Sequence, residues 1–166
     1  MRQPCGAGWK PAADCQSALL KPILIIGIGN AFRSDDAAGL LAARQVGEAA
    51  GPAITVLENA DLLEAFKTAA HVVLIDAVRS GAGPGSIVRI DASERSLPRE
   101  LFGSSTHAFG LAHDVEMART LGQLPARLIV YGIEGSNFAP GTTLSPEVER
   151  AIPELVHRIA DDITQR

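Results

Sequence analysis

The chain has 166 residues and a formal net charge of −4; 46% of it is hydrophobic and only 4% aromatic, so one domain with an aliphatic core is expected. The acidic balance argues against a phosphate-backbone footprint, which needs clustered Lys and Arg, and no apolar run reaches the ~18 residues of a membrane span. Two cysteines, Cys5 and Cys15, make no disulfide framework, so a cytoplasmic monomer with no nucleic-acid or membrane partner is the expectation.

Residues 1–22 mix Pro4, Gly6, Gly8, Pro11 and Cys15 without a period and read as a poorly ordered extension ahead of a single domain over 23–166. They lack the continuous apolar stretch of a signal peptide, and the nine residues between the cysteines fit no zinc spacing. Ile23-Leu24-Ile25-Ile26, broken by Gly27, Gly29 and Asn30, is a short apolar run typical of strands buried on both faces of a parallel sheet. Ala38, Leu41, Ala42 and Val46 follow at helical spacing. Ile54-Thr55-Val56-Leu57 predicts a second strand, Leu62, Leu63 and Phe66 a short helix, and Val72-Val73-Leu74-Ile75 a third strand. The turn-rich Gly81-Ala82-Gly83-Pro84-Gly85 leads to Ser86–Ile90, a hairpin-type or edge strand. A helix is expected over 108–121 with Leu111, Val115, Ala118 and Leu121 on one face, and a last strand at Leu128–Tyr131. A final helix starts at N-cap Ser145 and Pro146 and runs to about Thr164, with Pro153 kinking or splitting it. Strands alternating with helices mean a parallel or mostly parallel sheet with crossover connections.

In such sheets ligands sit beyond the carboxyl ends of the strands. Asp35 and Asp36 follow the first strand, Asp76 follows the third, and His107 precedes the helix at 108, so three metal-competent side chains can converge at one edge. Each has a plainer reading as well. Acids before a helix cap its free N–H groups, and Asp35 is the better candidate of the pair for that. A carboxylate beside an apolar strand is costly unless partnered by a cation, an N–H group or a metal, so Asp76 either makes a loop contact or ligates. His107 alone suits a capping or surface histidine. His113 lies about 240° around the helix from it and is set aside, as are His71 and His157. Other signatures fail: Phe32 stands where a dinucleotide-binding G-x-G-x-x-G needs its third glycine, and no P-loop, G-x-S-x-G or H-E-x-x-H occurs.

Gly27-Ile28-Gly29-Asn30 with Asp35-Asp36 and Gly39, then Asp76-Ala77 at a strand end, then Thr106-His107 before a helix, resembles the hydrogenase maturation proteases over about residues 23–165. The resemblance implies a three-layer α/β/α fold around a twisted, mostly parallel sheet. It also implies an endopeptidase that removes a C-terminal peptide from the [NiFe]-hydrogenase large-subunit precursor after nickel insertion. By motif position the nickel contacts fall on Asp36, Asp76 and His107, the nickel being presented by the precursor. Three departures stand out: Glu58-Asn59-Ala60 replaces a usual glycine pair, Ala37 a frequent glycine, and Gly135 a frequent proline. The first motivates an alternative, a non-catalytic checkpoint protein that binds the precursor without cutting it. A third option is a small-molecule enzyme, such as a nucleotide-binding one, on a similar sheet.

Overall fold

The computed structural model describes residues 22–98, 101 and 108–164. Five strands form one sheet: β1 (Ile23–Gly27), β2 (Ile54–Glu58), β3 (His71–Val78), β4 (Ile87–Asp91) and β5 (Arg127–Glu134), in the order β2-β1-β3-β5-β4. All neighbours run parallel except β4, an edge strand antiparallel to β5. Four helices flank it: α1 (Ala38–Ala50), α2 (Leu62–Thr68), α3 (Ala108–Thr120) and α4 (Pro146–Thr164). The extension expected before Ile23 lies outside the described residues except for Pro22.

The two-residue alternation of a strand sends successive side chains to opposite layers. Val73, Ile75 and Ala77 of β3 join a core with Ala42 and Val46 of α1 and Leu155 and Ile159 of α4. Val72, Leu74 and Val78 join a second core with Phe66 of α2 and Leu111 and Val115 of α3. The fold is therefore three layers, α1 and α4 on one face and α2 and α3 on the other. Burying each such aliphatic side chain contributes roughly 1.5–3 kcal/mol, which is how a chain so poor in aromatics builds a core.

Small residues let α1 lie close on the sheet. A Cβ at Gly39 would meet the Ile28 and Ile75 carbonyl oxygens at 2.4 and 2.5 Å, and one at Gly27 would meet the Gly39 carbonyl at 2.7 Å. The start of α1 is thereby locked over the carboxyl ends of β1 and β3.

Three expectations shift. Both β3 and β5 are longer than their apolar runs, eight residues each, because their last residues remain paired to one another up to Val78 and Glu134. Leu121 lies beyond α3 and is exposed rather than on its buried face. Pro153 does not split α4, which is continuous through it; the carbonyl its ring leaves unbonded, that of Glu149, belongs to an exposed residue and faces water. Among the described residues no helix is long and apolar enough to cross a membrane.

Candidate functional site

Beyond Gly27 the chain turns through residues 28–33 into a 3-10 turn, Ser34–Ala37, that sets Asp35 and Asp36 side by side at the carboxyl edge, 0% and 2% exposed. Their environments differ. Asp35 accepts hydrogen bonds from the Ser136 and Asn137 amides at 2.8 Å each, from the Ser145 amide at 2.6 Å, and from the Ser136 and Ser145 hydroxyls. Burial pushes its carboxyl up, but the Ser145 hydroxyl and the three amides outweigh burial, and it sits below the usual carboxylate range. Asp35 does not cap its own helix: α1 has no side-chain cap, and Asp35 instead pins the loop before α4. The reason is position in the turn, which aims Asp35 across at the end of β5 rather than along α1.

Asp36 has an Oδ1 that is fully buried with no hydrogen-bond partner. Asp76 does not close β3; it lies inside the strand, opposite Gly132 of β5 and two residues before the end. On its other side β1 is already finished, since Gly27 pairs with Ile75. Asp76 is 0% exposed, and neither carboxylate oxygen has a partner. Burial, then the Asp36 charge, pushes its carboxyl up to about 8, with the Ala77 amide pulling only weakly the other way without meeting hydrogen-bond geometry. Asp76 therefore holds a proton at neutral pH unless a cation arrives.

Two further features border this edge. The Asn59 side chain bonds both backbone groups of Gly29, accepting from its amide at 3.0 Å and donating to its carbonyl at 2.9 Å. A cavity of about 260 Å³ opens between Ile28, Asn59, Ala60, Leu62, Leu111 and Asp114, at the start of α3.

Of the three ligands expected from sequence, the fold brings Asp36 and Asp76 together; His107, immediately before α3, lies outside the described residues. Among the described residues no three His, Cys, Asp or Glu side chains gather to hold a metal, so a complete site requires a further group. The set-aside histidines are elsewhere. His71 opens β3 five residues from Asp76, about 17 Å along the strand; His113 is exposed; His157 is exposed and lies 3.6 Å from Asp161. Glu58, the weak candidate for a ribose contact, is taken by Arg44 through two hydrogen bonds of 2.5 and 2.9 Å.

Sequence reasoning missed Asp35's role and the buried Glu134, which accepts from the Ser80 and Gly81 amides and the Ser80 hydroxyl and fixes the turn after β3. Both partnerships join segments about 50–110 residues apart in the chain, and no local pattern reports them.

A doubly wound, mostly parallel sheet with a buried, donor-free acid pair at its carboxyl edge defines an α/β protein built to bring carboxylates to a cation or a reacting group. The sequence model of the hydrogenase maturation protease family, HycI, matches residues 57–162, a span that includes Asp76 and His107. The chain belongs to that family. The hydrogenase expression/formation protein HupD of Thiocapsa roseopersicina is 26% identical over 152 residues, covering 86% of this chain and 68% of that one. Among solved structures, the [NiFe] hydrogenase maturation protease HybD of Thermococcus kodakarensis is 27% identical with a TM-score of 0.66, covering 86% of this chain and 98% of its own. The hydrogenase maturating endopeptidase HybD of E. coli superposes with a TM-score of 0.74 over 87% and 93% of the two chains; at 24% identity it attests the fold.

Proposed function

We propose that this chain removes the C-terminal peptide from a nickel-loaded [NiFe]-hydrogenase large-subunit precursor, and that Asp36, Asp76 and His107 recognise the nickel the precursor brings. Family membership supports the reaction class. The observation that supports the metal reading is the set of three buried carboxylate oxygens, Asp36 Oδ1 and both of Asp76, with no hydrogen-bond donor. A buried anion left unpaired is costly, and oxygen donors with an imidazole suit a divalent first-row ion.

In this reading the empty precursor meets an Asp76 that is protonated and uncharged. The precursor's nickel displaces that proton, because a carboxylate ligates only when ionised. Three protein ligands leave coordination positions for the precursor's own groups, and the ion, once held, polarises the scissile carbonyl or activates water. Asp36 and Asp76 orient the ion, and through it the peptide, against a rigid sheet edge; positioning of this kind contributes several kcal/mol to a barrier reduction.

Incubation with nickel-loaded precursor, followed on a gel, tests the proposal. Wild type releases the C-terminal peptide, and Asp36→Ala or His107→Ala slows release at least about 100-fold. Variants that cut as fast as wild type would sink the nickel-recognition reading. Stable co-purification of wild type with uncut precursor, without peptide release, would instead favour the checkpoint role.

A further inference from the structure

We propose that Asn59 is a positioning residue for Asp36, acting through Gly29; this deepens, and rests on, the protease reading above. The β1–β2 ladder continues one step past the strands, with the Asn59 amide donating to the Gly27 carbonyl at 2.9 Å. There the Asn59 side chain takes over. Its carboxamide spans the Gly29 amide and carbonyl as a neighbouring peptide unit would, at 3.0 and 2.9 Å. Asn59 has φ +47, a left-handed conformation that asparagine tolerates better than most residues.

The other side of Gly29 faces Asp36. Gly29 has φ +145, and a Cβ built on it would lie 1.8 Å from the Asp36 carbonyl oxygen. Gly29 is thus clamped between the Asn59 carboxamide and the Asp36 backbone. The preceding residues of the turn are held from the opposite side, by the Ser34 amide on the Gly141 carbonyl and the Asp35 amide on the Asn137 carbonyl, both 2.9 Å. Asp36 itself is fixed where these two supports meet, so releasing Gly29 frees the one acid whose carboxylate works beside Asp76. Asn59 touches neither the acid pair nor, in this reading, the reacting atoms.

Two variants separate positioning from fold. Asn59→Gly keeps the left-handed backbone at no steric cost and removes both side-chain bonds. Asn59→Asp keeps the acceptor for the Gly29 amide and loses the donor to its carbonyl. In cleavage of the nickel-loaded precursor, Asn59→Gly is expected to lower kcat about tenfold with KM within about twofold, while Tm falls by only a few degrees. Asn59→Asp should fall between it and wild type. Wild-type kcat in Asn59→Gly, or a rise in KM with kcat intact, overturns the positioning role and leaves the protease reading standing. A wild-type protein that does not cut the precursor removes the protease reading and the role of Asn59 with it.

Discussion

Asp35 and Asp36 are adjacent, equally buried and on the same turn, yet one is surrounded by donors and the other faces none. Asp35 receives three amides and two hydroxyls from the loop between β5 and α4. Asp36 and, across from it, Asp76 present buried oxygens with no donor at all. The first arrangement stabilises the fold by satisfying an anion internally. The second leaves charge uncompensated, and a fold retains such a cost where an outside partner relieves it. Held apart by one peptide bond, the two acids divide into a fastener and a site.

Substitution should expose that division most sharply at Asp35. Asp35→Ala strands three buried amides and is expected to lower stability by about 3–4 kcal/mol, read by urea denaturation; a loss below about 1 kcal/mol would mean the loop is held by other contacts. Asp35's carboxyl is lowered, so its contribution is complete above the ordinary value of 3.8 and is lost as pH falls through the still lower folded value.

Asp76 should behave in the opposite sense. Its carboxyl is raised from 3.8 to about 8, so the folded state holds a proton that the unfolded state has given up. Stability therefore falls as pH rises through that window and levels off above it. In a metal-free buffer, Asp76→Asn lacks this slope, and its stability relative to wild type should improve by about 3 kcal/mol between pH 5 and pH 8. Parallel stability curves for the two proteins would show that Asp76 is ionised and partnered in solution.

A smaller effect sharpens the geometric side of the comparison. Gly39→Ala drives a methyl against the carbonyls of Ile28 and Ile75, so α1 must lift from the strand ends that carry the acids. A loss of about 2 kcal/mol is expected by thermal unfolding, together with reduced cleavage; an unchanged Tm would mean that α1 is not locked there.

Much of this architecture was legible in the residues. Apolar runs such as Ile23–Ile26 and Val72–Ile75 announced strands buried on both faces, and Ser145-Pro146 announced the last helix, because those signals are local. The ends of the strands were not legible. Asp76 interrupts the apolar run but stays within β3, because backbone pairing to β5 continues through Gly132 regardless of side-chain polarity. Asp36 and Asp76 were singled out correctly as neighbours at one edge, on strand order and motif position. The roles of Asp35, Glu134 and Asn59 were invisible, since each acts on a segment distant in the chain.

By itself the sequence determined the element types, the parallel character of the sheet, the family and the acids worth watching, since periodicity, capping and motif order are properties of the chain read in line. Only the tertiary structure decided which acid is satisfied and which is left bare. That distinction depends on where the amides of Ser136, Asn137 and Ser145 arrive in space, and hydrogen bonds form with whatever the fold brings near, however far away it stands in the chain.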